Sequence, residues 1–331
     1  MTVLVTGGAG YIGSHMVLAL VDAGQNVVVL DNLSTGFPWQ VHPKAHFVRG
    51  DIGDEGLVAE LIQEHGIDAI AHFAGSIVVP DSVTDPLGYY FNNTVKSRAL
   101  IAAAVRNKVD KFIFSSTAAV YGDAKESPIP ETTPLAPVSP YGTSKLMTEM
   151  MLRDVAVAHP LRFVALRYFN VAGADPQCRS GQSSKRATHL IKVATQAALR
   201  ERSHIDLFGT DYPTRDGTCL RDYIHVSDLA HAHLLALDHL RSGGESTVMN
   251  CGYGRGYSVL EVVAAVKRVA GVDFEARLMP RRAGDPATLI AGAEKIRETL
   301  GWEPRLDDLD TIITHALAWE DSLTKRWKQA A

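Results

Sequence analysis

A glycine-rich segment near the start of the chain lies between an apolar run and a stretch with helical spacing of its apolar residues. Val3, Leu4 and Val5 precede it, and three of its four glycines stand three residues apart, at positions 7, 10 and 13. In such a strand, turn and helix, the first glycine permits a tight turn, the second lets backbone approach a pyrophosphate, and the third lets the helix pack closely on the strand. The N–H groups that open the helix then face the phosphates. The segment predicts a dinucleotide site formed by Gly7, Gly10, Tyr11, Ile12 and Gly13.

The next apolar run ends in a carboxylate that discriminates between the two nicotinamide dinucleotides. Asp31 follows the run at residues 27–30, roughly twenty residues beyond the glycine segment. A carboxylate there accepts hydrogen bonds from the adenosine ribose hydroxyls and repels a 2′-phosphate. We therefore expect the cofactor to be NAD rather than NADP, with Asn32 beside Asp31 in its site.

Strand-like runs alternate with helical patterns through the first half of the chain. The runs at residues 46–48, 69–73 and 111–115 are separated by helical patterns near residues 56–64 and 89–105. This alternation predicts an α/β fold with a Rossmann-like, doubly wound parallel sheet. Loops at the carboxyl ends of such strands line the ligand groove. The residues that this argument places in the cofactor site are Asp51, Ile52, Phe73, Ala74, Gly75 and Ser115.

Tyr141 and Lys145 are one helical turn apart, which places a phenol beside an ammonium group. A tyrosine ionised at neutral pH needs its pKa lowered by about three units, or roughly 4 kcal/mol. A cation at about 4 Å supplies roughly that much at an effective dielectric constant near 20. The pair therefore predicts a base for redox chemistry on an alcohol. Thr117, expected just after a strand, is placed to hydrogen-bond the same substrate oxygen.

Length, charge and cysteine content limit the remaining classes. The 331 residues exceed what one core usually supports, so two lobes are expected. A net charge of −4 offers no basic stripe for nucleic acid, and no apolar run approaches the ~20 residues of a membrane span. Because the chain opens directly on its first strand and its three cysteines lack disulfide or metal spacing, we expect a cytoplasmic, reduced protein.

Two further clusters are interpreted as structural. Histidines 225, 231, 233 and 239 lie in a helical pattern, but His231 and His233 point in different directions on a helix, so no metal site is predicted. The glycines at 252, 254 and 256 precede Ser258 and Glu261, which are spaced as a helix-capping box. A connecting loop is favoured there over a second nucleotide site.

Together these motifs resemble the UDP-glucose (UDP-galactose) 4-epimerases of the extended short-chain dehydrogenase/reductase superfamily, over essentially the whole chain. The matching segments are residues 6–14, 31–32, 50–52, 72–75, 114–122, 139–145, 166–170 and 221–226. The resemblance implies that Thr117, Tyr141 and Lys145 are catalytic. It also implies that Asn92 and Tyr168 contact the cofactor, with Phe169 beside the nicotinamide.

For the substrate, the same resemblance implies a uridine diphosphate sugar. The residues it assigns to that site, besides the catalytic Thr117 and Tyr141, are Phe169, Asn170, His189, Leu190, Phe208, Arg221, Tyr223, Arg282, Asp285 and Leu289. It implies an NAD-binding domain at residues 1–169, to which the segment around 222–250 returns, and a UDP-sugar domain at residues 170–331. It further implies a homodimer that pairs the helices at residues 92–105 and 141–158.

The implied reaction is a reversible inversion at the sugar C4. Tyr141 removes the 4-hydroxyl proton while C4 passes hydride to tightly held NAD; the 4-keto sugar then turns and takes the hydride back on its other face. Three positions depart from the commonest family pattern: Ile77 replaces a lysine, His189 replaces an asparagine, and Leu289 replaces a tyrosine that narrows the space beside the sugar 2-substituent. The leucine at 289 leaves UDP-N-acetylglucosamine as an alternative to UDP-glucose. UDP-xylose or UDP-arabinose is a second alternative, because nothing in the sequence demands a 6-hydroxymethyl group, and UDP-glucuronate is a third.

Two other activities on this fold are also considered. Nucleotide-sugar 4,6-dehydratases place an Asp-Glu pair directly after the catalytic Thr, whereas Ala118 and Ala119 follow Thr117. Elimination of water therefore lacks its acid and base. A catalytically silent NAD sensor commonly lacks the Tyr-Lys pair, which is intact here.

Overall fold

Thirteen strands and eleven α-helices form the described part of the chain. This computed structural model describes residues 1–184, 188–282 and 285–330. In chain order the strands are β1 Thr2–Thr6, β2 Asn26–Asp31, β3 His46–Arg49, β4 Ile67–His72, β5 Lys111–Thr117, β6 Arg162–Tyr168, β7 Asn170–Ala172, β8 His204–Phe208, β9 Leu220–His225, β10 Thr247–Cys251, β11 Gly256–Ser258, β12 Glu275–Met279 and β13 Thr288–Leu289. The helices are α1 Tyr11–Asp22, α2 Glu55–His65, α3 Val79–Thr84, α4 Pro86–Tyr89, α5 Lys96–Arg106, α6 Pro140–Ala158, α7 Leu190–Ala198, α8 Val226–Arg241, α9 Val259–Ala270, α10 Glu294–Leu300 and α11 Leu309–Ala330.

The main sheet contains seven parallel strands in the order β10-β6-β5-β4-β1-β2-β3. The strand order reverses beside β1, so the carboxyl ends of β1 and β4 open a crevice at the point where such folds bind their ligands. The predicted Rossmann-like α/β class is confirmed.

Two apolar clusters cover the faces of this sheet. One includes Leu4 and Phe114 and packs residues of α2, α5 and α6. The other includes Val5 and Ile113 and continues through α1 and α8 into α7, α9 and α11. Because the strands are buried on both faces, their sequences are nearly continuous apolar runs, as expected for a parallel sheet.

A second, smaller sheet is built around β9. This strand pairs antiparallel with β11 and parallel with β7 and β13, while β8 and β12 form a separate parallel pair. After β9, α8 packs on the main sheet and β10 joins its edge beside β6. The segment from residue 222 to residue 250 is thus divided between the two sheets.

The helix predicted near residues 89–105 is interrupted. Between α4 and α5, residues Tyr90–Val95 form a π-helical segment. The spacing of apolar residues does not distinguish a π-helical turn from an α-helical one, so the sequence indicated a continuous helix. Such π segments are frequent at functional sites, and this one carries Asn92.

Helix α9 begins as predicted. Ser258 and Glu261 form the capping box, with the Ser258 hydroxyl accepting from the Glu261 N–H and the Glu261 carboxylate accepting from the Ser258 N–H. Within the described ranges, no helix combines the length and apolarity that a bilayer crossing requires.

Candidate active site

The glycine segment forms a tight loop between β1 and α1. Gly7 has a φ of +71°, and a Cβ there would lie 2.6 Å from the Ala74 backbone nitrogen. A Cβ on Gly13 would lie 2.1 Å from the Gly7 carbonyl oxygen. Gly10 caps α1 without a side chain, so the first N–H groups of that helix, those of Tyr11, Ile12 and Gly13, have no partner within the helix. The loop therefore presents a backbone donor cradle of the kind that binds a pyrophosphate.

Asp31 ends β2 next to this loop. Its Oδ2 accepts a hydrogen bond of 3.0 Å from the Ala9 N–H, and its Oδ1 accepts one of 2.8 Å from the Leu33 N–H. Each carboxylate oxygen has a second lone pair for a ribose hydroxyl. The buried Asp31 thus holds the loop in place and keeps acceptor capacity for the cofactor.

Asp51 lies in the next loop along and is paired with Lys96, a residue that sequence reasoning missed. The Lys96 Nζ lies 2.6 Å from Asp51 Oδ2, and Asn32 donates to the same oxygen at 3.3 Å. Ile52 beside it is buried. Asn32 and Asp51 are thus in contact next to the end of β2, where Asp31 lies.

Tyr141 and Lys145 occupy the first two turns of α6 and are both buried. Ser139 caps the helix by accepting from the Gly142 N–H at 3.2 Å. Lys145 Nζ donates to the Ser115 carbonyl oxygen at 2.9 Å and lies 5.0 Å from the Phe114 ring centroid. A Cβ on Gly75 would come within 3.6 Å of that ammonium, so the glycine keeps the space beside it open.

Burial opposes ionisation of the Tyr141 phenol in the cofactor-free chain. Burial raises the pKa of Tyr141 to about 12, although a hydrogen bond with the Thr117 side chain acts in the opposite direction. Burial also lowers the pKa of Lys145 to about 8. Desolvation of the phenol thus acts against its ionisation, and a further positive charge in the groove would favour the phenolate.

Thr117 and Ser115 face this pair from β5. Thr117 is the last residue of the strand rather than the first residue after it, and its Oγ1 accepts from the Ala119 N–H at 3.1 Å. Ser115 and Tyr168 share a hydrogen bond between their hydroxyl groups. Burial raises the pKa of Tyr168, with a contribution from nearby Tyr141. The structure therefore groups Ser115, Thr117, Tyr141, Lys145 and Tyr168.

The π segment brings two asparagines against the loop that follows β4. Asn92 donates to the Ser76 hydroxyl at 3.0 Å, and Asn93 accepts from the Ser76 N–H at 2.7 Å. Asn93 also donates to the Ser144 hydroxyl at 3.0 Å, one residue before Lys145. Sequence reasoning named Asn92 only; the pair of adjacent asparagines was the available signal for Asn93.

Part of the predicted substrate set lines one small cavity of about 30 Å³ beside the glycine helix. Its walls include Tyr11, Asn170, His189, Leu190 and Tyr223. Asn170 and Tyr223 face each other in the pairing of β7 with β9, and the Tyr11 hydroxyl donates to the Gly173 carbonyl oxygen at 2.7 Å. Phe169 is buried between β6 and β7. The cavity thus lies between the first turn of α1, the second sheet, α7 and α11.

The other predicted substrate residues form two neighbouring groups. Arg221 Nη2 donates to Asp285 Oδ1 at 2.9 Å, and Leu289 pairs with Arg221 across β13 and β9. The Arg282 guanidinium lies 3.8 Å from the Phe208 ring centroid. His189 and Ile77 are both exposed, the former just before α7. The guanidinium groups of Arg221 and Arg282 suit the two-pronged binding of a diphosphate, and the ring of Phe208 suits stacking against a flat base.

The groove fits a nicotinamide dinucleotide. It combines a backbone donor cradle at α1, a carboxylate at the end of β2 and the open space that Gly75 leaves beside Lys145. Phe73 and Ala74 form its floor beside Gly7, where Phe73 N–H donates to the Thr6 carbonyl oxygen at 3.0 Å.

One member of the histidine cluster, His233 on α8, packs against Phe73 with ring centroids 4.9 Å apart. His225 caps α8, and His233 is buried with its Nδ1 2.8 Å from the Leu229 carbonyl oxygen. Among the residues with described positions, no three His, Cys, Asp or Glu side chains are grouped to hold a metal ion. Residues 252–256 connect β10 to β11.

Comparison with known proteins gives consistent matches over the full chain. The family model "NAD dependent epimerase/dehydratase family" matches residues 3–252. The UDP-glucose 4-epimerase of Azospirillum brasilense is 58% identical over 328 residues, covering 99% of this chain and 94% of that protein.

Solved structures match equally well. The UDP-glucose 4-epimerase of Brucella ovis in complex with NAD has a TM-score of 0.93 at 44% identity, covering 96% of this chain and 97% of that one. The UDP-Glc/GlcNAc 4-epimerase of Campylobacter jejuni has a TM-score of 0.85 at 48% identity, covering 97% and 99%.

Proposed function

This chain belongs to the NAD-dependent epimerase/dehydratase family, and from that premise we propose that it is an NAD-dependent 4-epimerase that interconverts UDP-glucose and UDP-galactose. The observation that carries the proposal is the contact between Tyr141 and the Thr117 side chain, with Lys145 one turn along the same buried helix. The full-length relatives with this name support the substrate and the reaction.

Each residue of the proposed site has a distinct task. When bound, NAD accepts the C4 hydride and later returns it. Tyr141 takes the proton of the 4-hydroxyl and gives it back, and Thr117 hydrogen-bonds the same oxygen. Lys145, held by the Ser115 carbonyl group, lowers the cost of the phenolate. Asn170, Arg221 and Arg282 anchor the uridine diphosphate so that the sugar alone turns between the two hydride transfers.

The family includes dehydratases as well as epimerases, and the residues after Thr117 favour epimerisation. Ala118 and Ala119 begin a short 3₁₀ turn and carry no acid or base. Elimination of water from the sugar needs a general acid and a general base at that place. The chemistry available is therefore the reversible proton and hydride exchange at C4.

The test is turnover without added NAD. Purified protein is incubated with UDP-galactose, UDP-N-acetylglucosamine, UDP-xylose and UDP-glucuronate, and each product is separated by its C4 configuration. We expect conversion of UDP-galactose to UDP-glucose, and loss of that conversion in Tyr141→Phe with binding of NAD and UDP retained. Stoichiometric release of NADH would indicate an ordinary dehydrogenase, and binding without any conversion would indicate a silent NAD sensor.

We also infer activity on UDP-N-acetylglucosamine. Leu289 stands in register with Arg221 near the proposed diphosphate anchor, and its side chain is smaller than the tyrosine of many relatives. The 48%-identical Campylobacter enzyme is named for both glucose and N-acetylglucosamine nucleotides. An added acetamido group needs room that leucine leaves and tyrosine does not.

We further infer a homodimer formed through α6 and the π segment with α5. The outer faces of these elements expose large apolar side chains, including Phe91 at 58% and Met150 at 53%. We infer that these side chains belong to one apolar surface, of the kind that marks a protein interface. Met150→Glu should give a monomer in sedimentation analysis, whereas Leu278→Glu, at a leucine on β12 that is 65% exposed, should leave the dimer intact. A dimeric Met150→Glu protein would contradict this interface.

The domain division and setting follow the same premise. We assign NAD binding to residues 1–169 with the return of α8 and β10, and UDP-sugar binding to the remainder of residues 170–331, including β9. Cys178, Cys219 and Cys251 form no disulfide, as is usual in a reducing compartment. We therefore place the enzyme in the cytoplasm, in galactose metabolism.

A further inference from the structure

A buried ion pair joins the helix that carries Tyr141 to the strand that carries Tyr168. Glu149 lies on α6 one turn after Lys145, and Arg167 lies on β6 immediately before Tyr168. Arg167 donates from Nε to Glu149 Oε1 at 2.9 Å and from Nη2 to Oε2 at 2.6 Å. Glu149 is 0% exposed and Arg167 is 1% exposed. The two side chains thus form a two-pronged pair that solvent does not reach.

A second strand-borne partner of Glu149 is Ser116 on β5. Its hydroxyl donates to Glu149 Oε1 at 2.6 Å, and it stands between Ser115 and Thr117. The ion pair therefore fixes α6 against the two strands whose neighbouring residues form the proposed catalytic group. Arg153 also reaches Glu149 Oε2, at 3.3 Å, from the same helix.

The network continues through Tyr121 and Asn250 toward the second sheet. Arg167 Nη1 donates to the Tyr121 hydroxyl at 2.9 Å, and that hydroxyl donates to Asn250 Oδ1 at 2.7 Å. Asn250 Nδ2 donates to the carbonyl oxygens of Ile129 at 2.8 Å and Gly292 at 3.2 Å. Gly292 follows β13 and Leu289 by three residues. One chain of buried hydrogen bonds therefore runs from the base helix to the segment that follows β13.

Net stability does not explain this arrangement. Burying both charges removes their hydration, and apolar residues of similar volume often replace a buried ion pair without loss of stability. The pair instead fixes the orientation of α6 relative to β6, because a two-pronged contact between planar groups determines both their distance and their rotation. An apolar contact between α6 and the sheet would permit small shifts and rotations of the helix.

We propose that Glu149 and Arg167 are positioning residues for the epimerisation proposed above, on which this inference rests, and that they hold Tyr141 against Thr117 while the sugar turns. An epimerase must present the same base to both faces of a loosely held sugar, so the base cannot rely on the substrate for its alignment. A displacement of about 1 Å in such a site costs about 10²-fold in rate.

The decisive variant replaces both charges at once. Glu149→Leu combined with Arg167→Met should fold with a denaturation midpoint at or above that of the natural protein, because no unpaired charge is left buried. We expect its kcat to fall by about 10²-fold, with KM for UDP-galactose within about threefold of the natural value, since uniform substrate binding is untouched.

A matched control exists near the amino end of β4, the central strand of the same sheet. Asp68 at the start of β4 and Arg241 at the end of α8 also form a two-pronged pair, with distances of 3.1 Å and 3.0 Å. Asp68→Leu combined with Arg241→Met should leave kcat unchanged. A natural kcat in the Glu149 and Arg167 double variant, or an equal loss in this control, would overturn the positioning role.

Two further measurements keep the inference separate from the proposed function. With 3-fluorotyrosine at position 141, ¹⁹F NMR of the NAD-loaded protein should give one narrow resonance in the natural chain and in the control, and a shifted, broadened or split one in the double variant. This readout does not depend on turnover, so absence of epimerisation by the natural chain would reject the proposed function alone. If the double variant does not fold, Arg167→Lys, which retains the charge but loses the fork, should show the same kcat loss and NMR change; natural values for both would overturn the inference.

Discussion

The ammonium group of Lys145 donates a hydrogen bond of 2.9 Å to the carbonyl oxygen of Ser115. Within residues 1–184, 188–282 and 285–330, no carboxylate lies within ion-pair distance of this ammonium group. Burial lowers the pKa of Lys145 from 10.5 to about 8. A buried cation with only a neutral partner destabilises the chain that holds it. Lys145 therefore serves the proposed catalysis but lowers the stability of the fold without its ligands.

Lys145→Met should accordingly abolish turnover while stabilising the cofactor-free protein. The pKa shift corresponds to as much as about 3 kcal/mol at about 1.4 kcal/mol per unit, offset in part by the lost hydrogen bond to Ser115. Because the folded pKa lies below the unfolded one, the penalty in the natural chain is complete below pH 8 and is relieved as pH rises toward 10.5. In urea unfolding, the difference in free energy of unfolding between Lys145→Met and the natural protein should be smaller at pH 9.5 than at pH 7.

Lys192 supplies the opposite case and the control. It is also buried, but its ammonium pairs with buried Glu320. Lys192→Met leaves that carboxylate uncompensated and should destabilise the protein by about 3–5 kcal/mol. Destabilisation by both substitutions would show that Lys145 contributes to folding through its contacts and carries no penalty.

Buried neutral histidines should make the protein sensitive to acid. His72 is hydrogen-bonded through both ring nitrogens, to Thr6 and Ser97 at 2.8 Å each, and burial lowers its pKa to about 3. Between pH 6.5 and pH 3 the unfolded chain binds a proton at this residue that the folded chain does not, so stability falls as pH falls, by about 1.4 kcal/mol per unit. The free energy of unfolding measured across this range should have a shallower slope in His72→Gln. His159→Gln, at an exposed position after α6, should leave the slope unchanged; an equal change in both would contradict the assignment.

Local sequence was sufficient for the features that depend on neighbouring residues. The glycine loop, Asp31, the parallel strands and the placement of Tyr141 and Lys145 on one helix follow from spacing within a few residues. The π segment was missed because apolar periodicity does not report the width of a turn. Glu149 was missed for a different reason: its spacing to Arg153 is that of an ordinary exposed ion pair on a helix, whereas its main partner, Arg167, comes from another strand.

Long-range pairing accounts for the remainder of what was missed. The contact of Arg221 with Asp285 and the register of Leu289 beside Arg221 join distant parts of the chain through β9 and β13. The protonation state of Tyr141 also depends on three-dimensional burial. Spacing indicated a neighbouring cation, but the cost of desolvating the phenol is set by residues distant in sequence.

Arg282 should contribute to substrate binding through its shape as well as its charge. Its guanidinium lies 3.8 Å from the Phe208 ring centroid, and lysine cannot reproduce that stacking or a two-pronged phosphate contact. Arg282→Lys should raise KM for UDP-galactose by about tenfold, equivalent to about 1.4 kcal/mol, with little change in kcat and with NAD still bound after gel filtration. Arg281→Lys, whose guanidinium packs on Tyr212 at 4.1 Å in the same segment, serves as the control. Equal KM values for the natural protein and Arg282→Lys would remove Arg282 from the substrate site.

Leu289 should set the tolerance for the sugar 2-substituent. It lies on a two-residue strand held by β9, so its backbone position is fixed by Leu220 and Arg221. Leu289→Tyr fills the space proposed for an acetamido group and should lower kcat/KM for UDP-N-acetylglucosamine by at least about tenfold, while kcat/KM for UDP-galactose stays within about threefold, because a pocket contact of this size is worth about 1–3 kcal/mol. Leu289→Val, which removes bulk, should retain both activities. If the natural enzyme converts UDP-galactose but no UDP-N-acetylglucosamine, or if Leu289→Tyr affects both substrates equally, another part of the pocket determines the specificity.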